Sequence, residues 1–593
     1  MTRRDLIKVA RGNKPADLLL TNARIVNVFT AEIERGNVAI YNGRIAGIGD
    51  YWAGEKVIDL KGQYIVPSFI DGHVHPESSL LHIARYAQVV VPHGIGAIVT
   101  DFHEIANVKG LKGIEYMLRC AQPLPLDVYL MVPSCVPATN LETSGACLKA
   151  SDIREALSWE NTIGLGEMMN YPGVLASEED VLSKMLIASG KLIDGHAPGL
   201  YGKELNAYIA SGISSDHECT NIEEAKDKLK CGMYIMIREG SSEKNLEALM
   251  PVVTDDTYKR CLFVVDDRNC IDLIRLGDVD AVVRKAIRLG MDPIRAIQLA
   301  TINPADYFGL RGLGAIAPGY YANLFVTGDL SSLQANMVFY RGEQVAEEGK
   351  PLFATPILIN DEANTINIGN LNLESLRMSA SDGLSHVIEI IPDQIVTRKL
   401  QERVKSENGF VVPDIEKDIL KLVVVERHKA TGNIGLGLVR GFGLKSGALG
   451  SSFAHDSHNI IVVGTNDRDI FHTIKEIERL HGGLVIVANG HVLYSLPLPI
   501  AGQLSTEHPD LVAMRLEKLH ELASLLGCSL RNPFATLSML ALPVIPELRL
   551  TDLGLVDVQS QLFIDECGFS YPGTETDSIK TEQAHEVLTG KQK

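Results

Sequence analysis

No C-x-x-C pair occurs among the nine cysteines, and their odd count argues against a disulfide framework and for free thiols in a reducing compartment. No basic block breaks a chain of 593 residues that carries 56 basic and 74 acidic side chains. The formal net charge of −18 therefore disfavours a nucleic-acid polymer as partner. No run of uncharged apolar residues is long enough to span a bilayer, so no membrane partner is expected. The opening MTRRDLIKVARGNKPADLLL lacks the unbroken apolar stretch of a signal peptide, which makes the cytoplasm the expected location. No internal repeat or low-complexity segment redirects the reading. GFGLKSG at 441–447 is glycine-rich but lacks the spacing of a P-loop.

What is present is an ordinary globular composition, 46% hydrophobic and 22% charged, over a length that asks for several domains. Residues 1–64 read as short alternating strands with Asn-Gly and Gly-Asp turns, the first half of a small β domain. Residues 65–310 alternate apolar strands with helical text. Eight strands are predicted at 65–70, 96–101, 127–133, 162–166, 191–194, 212–215, 233–237 and 261–265. That count matches an α/β fold of the (β/α)8 TIM-barrel type. Residues 311–364 return to short strands that complete the small β domain. Residues 365–593 read as a C-terminal α/β domain ending in a polar tail.

The apolar run IVPSFI ends in DGHVH, placing His73 and His75 one residue apart at the end of a predicted strand. Alternate strand residues share a face. Two adjacent imidazoles repel once protonated, and a divalent metal is what holds both neutral. Functional groups of a (β/α)8 barrel lie at the C-terminal ends of its strands. Those ends supply Asp101, His103 and Glu104 (strand two), Glu167 (four) and His196 (five). Strand six adds Asp216, His217 and Glu218, and strand eight Asp266 and Asp267. Four imidazoles and two carboxylates suit a pair of divalent ions that share a carboxylate bridge.

This order resembles that of the amidohydrolase superfamily, and the strings DGHVHPESS, DFHEIANV, GLGEMMNYPGV, DGHAPGL, SSDHE and RGFGLKSGALGSSFAHDSHNIIVVG resemble the bacterial and archaeal adenine deaminases. The resemblance spans nearly the whole chain. It implies His73 and His75 on a first metal, Glu167 as the bridge, His196 and His217 on a second metal, and Asp266 as a ligand that also handles protons, with Asp267, expected to turn towards the following loop, as the second candidate. The bridge is often a modified lysine in this superfamily. A glutamate stands there in this chain and bridges without modification. Val265 replaces an expected threonine, and Asn323 stands where the superfamily usually has aspartate.

The implied activity is hydrolysis of adenine to hypoxanthine and ammonia in purine salvage. On that reading a hydroxide held between the metals would attack C6, with Asp266 expected to act as base and then acid. Glu104, Glu218 and Glu239 are candidates to protonate N1. His455 and Asp456, in SSFAHDSHN, are expected at the edge of the purine pocket. Manganese is the first choice of metal, with iron or zinc as alternatives, since the site mixes imidazole and carboxylate. A homodimer is expected from the size and the interdomain pocket. The competing reading is another cyclic-amide or aminopurine/pyrimidine amidohydrolase. A dihydroorotase-like enzyme is expected to carry lysine where Glu167 stands.

Overall fold

Ile65 to Ile70, one apolar run in the sequence, is divided between two sheets. In the computed structural model, which describes residues 3–357, 364–380, 383–392 and 394–564, Tyr64–Pro67 pairs antiparallel with Leu324–Thr327, whereas Phe69–Asp71 pairs parallel with Ile95–Thr100. The break falls at Ser68. Pro67 before it has no N–H to offer either ladder, and the Ser68 amide donates to the Asn323 carbonyl at 3.1 Å. The single strand expected at 65–70 is thus corrected to a strand that changes sheets.

The first sheet has nine strands and joins residues from both sides of the barrel. Tyr64–Pro67 lies between Ala16–Asn27 and Leu324–Thr327, so the opening and returning segments hydrogen-bond into one layer. Asn323 sits at this junction, where its side chain donates to Asp127 and accepts the Arg341 amide.

The barrel strands are β1 (Phe69–Asp71), β2 (Ile95–Thr100), β3 (Asp127–Val132), β4 (Thr162–Met168), β5 (Leu192–Gly195), β6 (Ser215–Asp216), β7 (Tyr234–Arg238) and β8 (Cys261–Val264). All pairings among them are parallel. All six residues of β2 are buried, as expected for a parallel strand covered on both faces. The helix Val279–Arg288 shows how the cover forms. Asp278 caps it by accepting the Val279 amide, and Val279, Val282, Val283 and Ala286 turn one buried stripe inward. Each fully buried valine of that stripe stabilises the packing by about 1.5–3 kcal/mol.

The C-terminal domain is built on an eight-stranded sheet. Its order runs Thr397–Glu402, Ser385–Ile390, Ile434–Arg440, Ile419–Val425, Ile460–Gly464, Ala448–Ser451, Gly483–Ala488, His491–Pro497. The helices Asp467–Leu480 and Pro509–Leu525 pack against it. This domain docks over the C-terminal mouth of the barrel. Ser505 N donates to Leu80 O at 2.7 Å, Gln503 Nε2 to Glu104 O at 2.8 Å, and Asn459 Nδ2 to Thr143 O at 2.9 Å. Buried apolar side chains of the barrel and the C-terminal domain form one contiguous cluster. Among the described residues no helix is long and apolar enough to cross a membrane. The polar tail expected at the end of the chain lies outside the described residues.

Candidate active site

The strand ends converge on two triads of metal-ligand type. In the first, His73 Nε2 and His75 Nε2 are 3.2 Å apart and face Asp266 Oδ1 at 3.3 and 3.1 Å. In the second, His196 Nδ1 and His217 Nε2 are 3.2 Å apart and face Glu167 Oε2 at 2.8 and 3.3 Å. Glu167 touches both, because its Oε1 lies 3.5 Å from His75 Nε2.

Local backbone features bring these groups together. A Cβ on Gly195 would fall 2.3 Å from the Ser215 carbonyl oxygen, so glycine there lets β5 and β6 approach closely enough for His196 and His217 to meet. Asp266 has φ +62°, a left-handed conformation tolerated by aspartate and concentrated at functional sites. Buried Asp216 ties the two second-triad segments together: it accepts from Ala197 N at 2.8 Å, Glu218 N at 3.0 Å and Lys228 Nζ at 3.0 Å.

The donor set fits divalent metal. Four ligands held tetrahedrally at about 2.0–2.1 Å from one ion lie about 3.3–3.4 Å from each other. Five of the six edges, at 3.1–3.3 Å, lie close to this spacing, and the sixth, His196 Nδ1 to Glu167 Oε2, is a hydrogen-bond distance of 2.8 Å. Imidazole nitrogens facing each other at 3.2 Å in a buried site can share one N–H proton, and with both lone pairs turned inward they can instead share a cation. His75 Nδ1 also faces Asp101 Oδ1 at 3.2 Å, and Asp101 Oδ2 lies 3.0 Å from His103 Nδ1. A carboxylate behind a ligating histidine fixes its tautomer and ring orientation.

Arg238, at the end of β7, links the two carboxylates beside the triads. Its guanidinium engages both oxygens of Glu218, and Nη1 lies 2.8 Å from Asp266 Oδ2. Burial works against the Asp266 charge, yet His73, His75 and Arg238 hold it well below the usual carboxylate range. Glu218, opposed by burial in the same way, is lowered by Arg238.

Above the triads is a cavity of about 130 Å³. The barrel supplies its polar floor, and the C-terminal domain covers it with Ile395, Val396, Met539, Leu542, Val544 and Ile545. Two histidines of the C-terminal domain grip Glu104. His455 Nδ1 is 2.5 Å from its Oε1 and His458 Nε2 is 2.5 Å from its Oε2. Burial alone would lower the His455 pKa, but Glu104 carries it up to about 9; His458, buried beside the same carboxylate, is lowered to about 4.

The structure therefore gathers His73, His75, Glu167, His196, His217 and Asp266 into one cluster, and Glu104, Glu218, His455 and Asp456 around the same cavity. Glu239 does not join them. Its carboxylate meets Lys285 Nζ at 2.7 Å and accepts the Leu246 amide at 3.1 Å, because the chain turns away after Arg238 to begin the Gly240 hairpin. Asp267 was expected to point towards the following loop. It instead pairs in register with His75, accepts from the Ser78 hydroxyl and lines the cavity.

Arg238 and Glu243 are cavity residues that the sequence reading missed. The signal for Arg238 was available, since a lone cation closes the apolar stretch YIMI at the end of a barrel strand. Glu243 sits on an irregular hairpin with no such signal.

A (β/α)8 barrel whose strand ends carry two histidine triads joined by a glutamate defines an amidohydrolase, and residues 64–345 match the amidohydrolase family. Residues 394–561 match the adenine deaminase C-terminal domain. An adenine deaminase of Dehalococcoides mccartyi is 58% identical over 94% of this chain and 97% of its own length. Adenine deaminase 2 of Carboxydothermus hydrogenoformans is 52% identical over 94% and 98%, and an adenine deaminase of Halalkalibacterium halodurans 46% over 94% and 97%. The chain belongs to the adenine deaminase family.

Proposed function

We propose that the enzyme hydrolyses adenine at C6, releasing hypoxanthine and ammonia, in the cavity between the barrel mouth and the C-terminal domain. The observation that carries this reading is Glu167, with one oxygen turned to each of two histidine triads beneath a cavity closed by apolar side chains. His73, His75 and Asp266 would hold one divalent ion and His196 and His217 a second, with Glu167 placed to serve both. Manganese is the first choice, with iron or zinc next. Ions bound there supply the acidification that makes water a nucleophile near neutral pH.

Asp266 is ionised and stands beside both first-triad imidazoles, so it takes a proton from the attacking water and returns it to the departing amine. Arg238 keeps this carboxylate oriented through its Oδ2. Glu104 and Glu218 are both held ionised by neighbouring cations, which suits them to accept N–H bonds rather than to give a proton. The protonation of N1 passes to Glu243. Its Oε1 has no hydrogen-bond partner among the described residues, and burial pushes its pKa up to about 7 against the pull of Arg238. The apolar side chains of the C-terminal domain exclude water from the faces of the purine.

The test is ammonia release from adenine against a panel of cyclic amides and aminopyrimidines, with metal content measured before and after chelation. Turnover confined to adenine, lost on chelation and restored by manganese, is expected. Hydrolysis of a cyclic amide in preference to adenine would overturn the reading.

A further inference from the structure

The Asp456 carboxylate is 1% exposed and lines the cavity, yet its Oδ2 has no hydrogen-bond partner among the described residues. Its Oδ1 is no better served, since His103 Nε2 lies at 3.9 Å and His455 Nδ1 at 3.8 Å, beyond hydrogen-bonding distance. A buried carboxylate left without donors is costly, and side chains in such a position are aimed at something.

The neighbours that could have satisfied it are engaged elsewhere. His455 and His458 are turned to Glu104, and His458 Nδ1 accepts the Ala454 amide. The loop itself is fixed on both sides. The His455 amide donates to Ser538 Oγ at 3.1 Å, His428 Nε2 meets the Ser457 carbonyl at 2.7 Å, and Asn459 Nδ2 reaches Thr143 O. Asp456 is therefore a preorganised acceptor presented by the C-terminal domain. It stands one imidazole's width from the bridging carboxylate, because His103 Nδ1 is 3.4 Å from Glu167 Oε1 and its Nε2 faces Asp456.

We infer that Asp456 accepts the ring N–H of the five-membered half of a free purine base, so that the C-terminal domain makes the enzyme specific for bases over nucleosides. The inference rests on the proposed adenine deaminase reaction. With C6 at the triads, the five-membered ring is the part of adenine left to face the C-terminal domain. The other ring nitrogens of adenine, N1 and N3 in the six-membered ring and one of N7 or N9, are acceptors that a carboxylate repels. The single ring N–H is the complementary group, and a nucleoside carries a sugar in its place. Burial pushes the Asp456 carboxyl up to about 6 against the pull of His103, which leaves it ionised and accepting above that pH. A site built to hydrogen-bond one substrate group rejects the analogue lacking it by about 10,000-fold or more.

The experiment compares kcat/KM of the metal-loaded enzyme on adenine, 9-methyladenine and adenosine, for wild type, Asp456→Ala and Asp456→Asn. Wild type should favour adenine over 9-methyladenine by about 10,000-fold. Asp456→Ala should lose about 100-fold or more on adenine, mainly in KM, with metal content unchanged, so that the ratio collapses. Asp456→Asn keeps an acceptor oxygen in the same shape, should recover part of that loss, and serves if the alanine variant does not fold. An unchanged adenine to 9-methyladenine ratio in folded, metal-loaded variants would overturn the inference while leaving the reaction intact. Absence of ammonia from adenine with the wild type would instead overturn the reaction on which it rests.

Discussion

Arg238 Nη1 lies 2.8 Å from Asp266 Oδ2, while Asp266 Oδ1 faces the imidazoles of His73 and His75. One oxygen of the aspartate is thus committed to a fixed cation and the other to the triad. Asp266→Asn should leave a folded protein that still holds metal and lose about 100- to 10,000-fold in turnover on adenine, the range for one positioned acid–base group. Arg238→Met should act on stability as well. It leaves Glu218 and Asp266 buried without their cation, and breaking a buried pair in this way costs about 3–5 kcal/mol. Steady-state kinetics and a denaturant midpoint on the same preparations separate the two effects.

Glu167→Gln tests the bridge. The amide keeps the shape and removes the charge that both triads face, so bound metal should fall from two ions towards about one per chain. Elemental analysis after dialysis reads this directly. Two ions retained at unchanged affinity would move Glu167 out of the bridging role.

The grip of His455 on Glu104 should make the docking of the C-terminal domain pH-dependent. The His455 pKa rises from the ordinary 6.5 to about 9 on folding, so its stabilisation is complete below about pH 6.5 and is lost as pH rises through about 9. Glu104 is held well below the ordinary 4.5, so its share is present above that pH and is lost on further acidification. The melting temperature of His455→Gln should therefore fall furthest below wild type between about pH 4.5 and 6.5, and the gap should close above about pH 9. A gap independent of pH would mean that packing rather than charge holds the two together.

Glu239→Gln is the expected silent variant for catalysis. Its partners are Lys285 and the Leu246 amide, outside the cavity. Turnover on adenine should stay within about threefold of wild type, because this buried carboxylate is turned away from the cavity and supplies none of the roughly 100- to 10,000-fold of a positioned acid–base group. A loss of 100-fold or more would return Glu239 to the active site.

The six ligand-type residues were legible because a parallel barrel delivers strand ends to one face, and a histidine or carboxylate after an apolar run marks such an end. The division of the first strand at Ser68 was not legible. A continuous apolar run reads as one strand whichever sheet each half joins, and only the partner at Asn323 decides. Glu239 and Asp267 went wrong for a related reason. Glu239 comes one residue after Arg238 and Asp267 three after Val264, and the chain beyond each strand, not the strand, sets the direction of the side chain. His455 and Asp456 stood out by composition alone; the long-range docking that brings them against Glu104 leaves no periodic trace in the sequence.

The cover over the cavity also has a place in time. A ribosome adds about 5–20 residues per second, and the segments that gather the metal-type ligands, up to Asp267, are made roughly 280 residues before Ile545. For roughly 15–55 seconds, every nascent chain has its ligand-bearing strands synthesised while the side chains that later overlie them do not yet exist. Any ion taken up by a newborn molecule would meet these ligands uncovered during that interval, whereas later access runs past the apolar side chains of the C-terminal domain.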